Sequence, residues 1–463
     1  MKKIFEDVIA GIPDYKEFLT VEELDANSFK LAEKYPEVVS IFEMGKTREG
    51  RPLNCLKIGN GSHVGLMFCC PHPNEPIGTM LIEYFSEELA RNDQLREEMD
   101  YTWYMVKAWD ADGLKLNEKW LKGPYTIYNY SRNFFRPAGH KQVDWTFPID
   151  YKELHFHDTL PESIAMMELI ERIRPEFIYS LHNAGFGGVY WYVTEDTPEL
   201  YDDFRKAAEK QEVPLNLGEP ESPAVPELSP AVYQMLTIRS EYDYIEQYAH
   251  QEDMSKVIPC GTSSGDYAYE LCKAFTFLTE LPYFYDKRVD DTRESDMLRT
   301  DAVLAQLEWT SAANKDLRDI IATSLEYLNP EDPFLLAVQA FTRDDMGEAT
   351  KEMIKVNPDY ARKATEAEKF DSLLVNKFYK LLQYGMMARA NEDELARMEE
   401  KGEDNPAKKE ALTKAFEMAE AGHKKLADYL ETNMDYQVVP IKKLVSIQLE
   451  CGLLMADYLK NRG

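Results

Sequence analysis

His72 and Glu75 stand three residues apart in PHPNEPIG (71–78), which follows the apolar run VGLMFCC (64–70) without a break. A strand ending there delivers both side chains to a tight turn past a strand end, where α/β folds build their sites. A neutral imidazole and a carboxylate at this spacing suit zinc, which takes such ligands at about 2.0–2.2 Å and keeps one position open for water when three protein groups bind. His182 is the candidate third ligand. It ends the apolar run FIYSLH (177–182), and emerges at the same sheet edge if the two strands are parallel neighbours. Glu280 lies near the end of AFTFLTEL (274–281). A carboxylate is costly to bury without a partner, which marks Glu280 as a base able to take a proton from water beside a metal. An H-x-x-E spacing alone arises by chance; His182 alone reads as a satisfied strand-end histidine, and Glu280 alone as an ion-pair partner. Their shared placement at the ends of apolar strands carries the joint reading.

The elements that must position these residues are legible as an α/β pattern from about Val21 to Tyr285. Strands are predicted at 64–70, 101–109, 177–182, 189–194 and 274–281, several apolar throughout and therefore central in a sheet. Helices are predicted at Ile77–Ala90 and at Pro161–Ile173, with Pro161 in the first turn. NPEDPF (329–334) reads as a linker, and helical periodicity dominates after it. Leu412, Phe416, Ala419, His423, Leu426 and Leu430 form one stripe, and Ile441, Leu444, Val445, Gln448, Cys451 and Met455 another. Such stripes are core, so His423 reads as a packing residue. The expected fold is a mixed, mostly parallel central sheet flanked by helices in residues 1–328, with an all-α accessory domain at 329–463.

The 463 residues carry a formal net charge of -30 and are 44% hydrophobic, a globular composition that repels phosphate backbones and anionic lipid. No nucleic-acid or membrane partner is expected. Glu6, Asp7 and Asp14 interrupt any secretory signal, and no run reaches the roughly 18 apolar residues of a membrane span. The six cysteines form no CxxC pair, so the expected compartment is the cytoplasm. HFH (155–157) places two histidines on one face if extended, a spacing open to a second metal or to a solvated loop.

Over about residues 30–328 the chain resembles the zinc metallocarboxypeptidases of the carboxypeptidase A type. The resemblance lies in PHPNEPIG, in ADG (111–113) with NEKW (117–120), in SRNF (131–134), in SLHN (180–183), and in GTSSGDYAYE with FTFLTEL. It implies one zinc per chain on His72, Glu75 and His182, Glu280 as general base, and Asp266 as the acidic residue fourteen positions before it. The family's Asn-Arg grip on a terminal carboxylate maps onto SRNF, with Ser131 for the asparagine and Arg132 kept; a guanidinium holds a carboxylate bidentately. The family's carbonyl-polarising arginine falls on Leu121, which leaves the oxyanion to Lys122, Arg136 or the zinc. Its substrate-capping tyrosine falls on Ile258, and Gly265 occupies a position that sets side-chain preference. Tyr125, Tyr128, Tyr130, Phe134 and Phe135 bracket Arg132 and either line a pocket or fill the core.

The implied activity is hydrolysis of a peptide or amide bond next to a C-terminal carboxylate. A deacylase of N-acyl amino acids on the same fold, and a non-catalytic zinc-fold binding module, stay open beside it. The expected partners are thus a peptide or N-acyl amino acid substrate and, through the helical domain, a second copy of the chain.

Overall fold

The computed structural model describes residues 1–249, 254–343 and 347–462. Five strongly apolar segments do form strands: His63–Cys69, Tyr101–Val106, Phe177–Leu181, Tyr190–Val193 and Phe275–Glu280. They sit inside a nine-stranded sheet that runs, edge to edge, Val39–Lys46, Pro52–Ile58, Tyr101–Val106, His63–Cys69, Phe177–Leu181, Phe275–Glu280, Tyr190–Val193, Val232–Gln234 and Glu227–Ser229. The middle four of these, from Tyr101–Val106 to Phe275–Glu280, are mutually parallel. Antiparallel ladders flank them, through Pro52–Ile58 on one side and Tyr190–Val193 on the other. The sheet is mixed, as expected, and its parallel strands are concentrated in the centre, where apolar residues on both strand faces need cover from both sides.

That cover comes in two layers. On one face Leu66, Phe68, Val106 and Ile178 pack with Met166 and Ile170 of the helix Pro161–Ile173 and with Ala268 of the helix Ser264–Cys272. On the other, Met67, Tyr179 and Phe277 pack into a core that also takes in Ile77–Arg91 and the last helix, Ile441–Asn461. Tyr179 and Phe277 stack at 5.2 Å, and Phe204 stacks on Phe277 at 5.1 Å.

Residues 329–463 are helical as the periodicity predicts, with long helices at Asn376–Lys401, Pro406–Asn433 and Ile441–Asn461 and only short strands between. The two predicted stripes are buried: Leu412, Ala419, His423 and Leu430 on the one, Leu444, Val445, Gln448, Cys451 and Met455 on the other. These helices do not build a core apart from the sheet. One continuous apolar cluster runs from Phe5 to Ala456 and includes residues on both sides of position 329. No helix among the described residues is long and apolar enough to cross a membrane.

Candidate metal centre

His182 directly follows the strand Phe177–Leu181, and Glu280 is the last residue of the neighbouring parallel strand Phe275–Glu280. His72 and Glu75 follow His63–Cys69, on the other side of Phe177–Leu181. Three parallel strands therefore end side by side and offer their next residues to one point. The helix Ile77–Arg91 starts so close to the sheet that a Cβ on Gly78 would lie 2.4 Å from Leu181 Cβ and 2.8 Å from Cys69 Sγ. Glycine at 78 is what lets the His72–Glu75 turn press down on the His182 strand end. Asn183 fastens the junction: its Oδ1 accepts from Ile77 N at 3.0 Å, and its own N donates to Glu75 Oε2 at 3.2 Å.

His72, Glu75 and His182 each present a ligand atom within 4.8 Å of the other two, and no other such group of three occurs among the described residues. His182 Nδ1 lies 3.1 Å from Glu75 Oε2 and 3.6 Å from Glu280 Oε1, while its Nε2 is held by Ser180 Oγ at 2.8 Å. That second contact fixes the ring and leaves Nδ1 as the face turned to the site, the outer-shell arrangement usual for metal-binding histidines. His72 Nδ1 is buried with no hydrogen-bond partner among the described residues, although buried polar atoms are nearly always paired. Burial, aided by the Arg136 cation and by His182, lowers the His72 pKa well below the ordinary histidine value, so the ring is the neutral ligand form. Two imidazoles and a carboxylate with one orphaned nitrogen are a donor set that fits zinc.

Glu280 is buried, and its Oε2 has no hydrogen-bond partner among the described residues. Burial first, then the nearby charges of Glu75 and Glu221, push its pKa well above the usual carboxylate range. A divalent cation among these groups acts against that shift, because it favours the ionised carboxylate.

A sequence profile of the zinc carboxypeptidase family matches residues 27–288. The chain belongs to that family. Mouse mast cell carboxypeptidase A is 28% identical over 136 residues, which make up 28% of this chain and 32% of that protein, so the match spans about a third of the curated relative. Among solved structures, a metallo-carboxypeptidase from Burkholderia cenocepacia is 17% identical, with 57% of this chain and 60% of that one covered at a TM-score of 0.34. Carboxypeptidase A from Helicoverpa armigera is 15% identical, with 61% and 71% covered at a TM-score of 0.36.

In this zinc carboxypeptidase family member the three cations named from sequence lie in different places. Arg136 borders the site cavity and donates to Glu75 Oε1 at 2.9 Å. Arg132 does not reach the cavity. Its guanidinium is bound to Glu420 and, at 3.0 Å, to Glu392, both from the C-terminal helices. Lys122 is engaged at the surface by Glu23 at 2.8 Å and Glu17 at 3.1 Å. Leu121 is core, and Ile258 packs with Ile149, Leu154 and Tyr242 in a separate apolar cluster. Tyr130 and Phe134 line the cavity; Tyr125 and Phe135 pack in or against the main core, and Tyr128 rests edge-on against His423. Asp266 accepts from Thr262 Oγ1 at 2.6 Å, whereas its neighbour Gly265 borders the cavity. His155 and His157 both lean on exposed Asp150 and form no metal group with the other described residues.

The cavity is about 430 Å³, and much of its wall carried no motif in the sequence. Tyr190 and Tyr192 project from the strand beside Glu280, on the same sheet face as Leu278 and Thr276. Glu219 and Glu221 come from an irregular loop; Gln306, Asp371, Asn376 and Tyr379 come from the helices packed above. The period-two alternation of Tyr190 and Tyr192 was the one available signal. The loop and helix residues meet the site only through folding.

Proposed function

We propose that this chain is a zinc-dependent hydrolase of the metallocarboxypeptidase type, cleaving a peptide or amide bond beside a carboxylate. The observation that carries the reading is the convergence of three ligand side chains from two neighbouring strand ends, with the Glu280 carboxylate, at the end of a third, 3.6 Å from His182 Nδ1. When bound by His72, Glu75 and His182, zinc supplies a Lewis acid that polarises a carbonyl and acidifies water.

The rest is done by the chain. Glu280 accepts a proton from the attacking water at its unpartnered Oε2 and returns it to the leaving amine, a role suited to a carboxylate whose proton affinity is raised by its surroundings. Ser180 keeps the His182 ring turned toward the site. Arg136 is the guanidinium available to hold a substrate carboxylate or a developing oxyanion, and its fork geometry suits either. Phe134 and Tyr130 give the cavity an apolar side that limits water. Six unpaired cysteines, three of them in the layers around the sheet and one in the last helix, suit work in the reducing cytoplasm.

The test is a zinc-loaded preparation assayed on N-blocked dipeptides and on N-acyl amino acids. Release of the C-terminal amino acid from dipeptides, lost on chelation and restored by zinc, is the expected result. Hydrolysis confined to N-acyl amino acids moves the reading to a deacylase, and tight zinc binding with no hydrolysis of any amide removes the enzyme altogether.

A further inference from the structure

Six carboxylates line the catalytic cavity: Glu75, Asp144, Glu219, Glu221, Glu280 and Asp371. Among the described lining residues, Arg136 is the one Lys or Arg, and it is bound to Glu75. The other acids divide by partner. Glu219 is matched bidentately by Arg299, at 2.9 and 2.5 Å. Asp144 takes the backbone N of Ser264 at 2.7 Å. Glu221 accepts the Tyr190 hydroxyl on one oxygen at 2.7 Å and the Tyr192 hydroxyl on the other at 2.9 Å. Neither Glu221 nor Asp371 has an ion-pair partner among the described residues. Burial and the neighbouring Glu219 push the Asp371 carboxyl up to about 7, so a positive charge beside it would be strongly favoured.

We propose that this wall, built by Glu221 on its two tyrosines with Asp371 and Tyr379 opposite, binds an ammonium or guanidinium group of the substrate. The proposal rests on the hydrolase reading and narrows its substrate to amides carrying a cation next to the scissile bond. An ionised carboxylate only accepts hydrogen bonds, and both oxygens of Glu221 are aligned by hydroxyl donors, so what it has left to offer is matched by a charged donor. Three tyrosine rings, 190, 192 and 379, border the same space and add faces on which a cation is stabilised.

A second feature is independent of the acids. Thr276 is 3% exposed, its Oγ1 has no partner among the described residues, and it borders this cavity two steps along the Glu280 strand face, past Leu278. A Cβ on Gly265 would stand 3.1 Å from that hydroxyl, so glycine leaves the approach open. An incoming N–H donor satisfies an oxygen that the protein leaves unpaired. The cation-binding wall also gives the helical region a task, since Asp371 and Tyr379 belong to it.

The experiment uses the zinc-loaded full chain and N-blocked dipeptides in which lysine, norleucine or glutamate flanks the scissile bond on either side. Lysine at one flanking position is expected to exceed norleucine in kcat/KM by about 10²-fold or more, the scale on which sites with buried polar partners reject analogues lacking the matching group. Glu221→Gln combined with Asp371→Asn should collapse that ratio through KM, with zinc content unchanged. Equal rates for lysine and norleucine in the wild type overturn the proposal whether or not the variant folds. A lysine preference that survives in a folded, zinc-loaded variant overturns it too. Calorimetry of n-butylammonium against n-butanol on the wild type reads the wall without turnover. Ammonium binding with no peptide hydrolysis keeps the wall and removes the hydrolase reading, whereas hydrolysis with no ammonium binding or lysine preference does the reverse.

Discussion

Tyr179 donates its hydroxyl to the backbone carbonyl of Gln448 at 2.6 Å, across the interface between a central strand and the last helix of the chain. The same hydroxyl meets Thr279 Oγ1 at 2.8 Å, and Gln448 Nε2 reaches back to the carbonyl of His182 at 3.4 Å. The C-terminal helix is thus wired to the strand end that carries a metal ligand. Tyr179→Phe removes the hydroxyl that joins Gln448 to Thr279, leaves the buried Thr279 hydroxyl without that partner, and should cost about 1–3 kcal/mol of stability. A lowered denaturant midpoint with unchanged slope is the expected reading; a midpoint equal to wild type would show the contact to be idle.

Arg132 and Arg136 should separate cleanly. Arg136→Ala removes the one guanidinium among the described lining residues and is expected to raise KM about 10- to 100-fold, the equivalent of a charge-assisted hydrogen bond of about 1.5–3 kcal/mol. Arg132→Ala unties half-exposed Glu392 and partly exposed Glu420, a loss of about 1 kcal/mol after solvent screening, with KM unmoved. A KM effect on Arg132→Ala alone would return the carboxylate anchor to that residue.

Glu280→Gln keeps the shape of the side chain and removes its basicity. Zinc should remain bound at one per chain while turnover falls about 10²-fold or more. Metal analysis and single-turnover rates check both halves, and near-normal hydrolysis would take Glu280 out of the proton path.

His423 makes the pH dependence of stability testable away from the metal. It is fully buried, with Nε2 2.7 Å from Ser131 Oγ. Burial, and then the Arg132 cation, lowers its pKa from 6.5 to about 4. Because the folded pKa is depressed, the unfolded chain binds the proton first: this contribution is complete above about pH 6.5 and is lost as pH falls toward 4, up to about 3 kcal/mol. Thermal midpoints of wild type and His423→Asn across pH 7 to 4 should converge as the acid limb is reached. Parallel curves would refute the assignment.

The sequence by itself determined the central strands, the helical character of the C-terminal third, and which four polar residues stand at the ends of the apolar strands. Strand length, apolar runs and a residue type at each strand end are local, and parallel pairing then brings His72, Glu75, His182 and Glu280 together because each chain segment must stop at the same sheet edge. Only the tertiary structure decided which cation borders the cavity. Arg132 and Arg136 are four residues apart, yet the first lies in the last turn of the short helix Ile127–Asn133 that packs against Asn376–Lys401 and the second follows it toward Glu75. It also decided that residues after 329 share the core of the sheet and border the cavity, because Asp371 and Tyr379 come to the same cavity as Glu221 through packing between helices whose sequence pattern records only which face is buried.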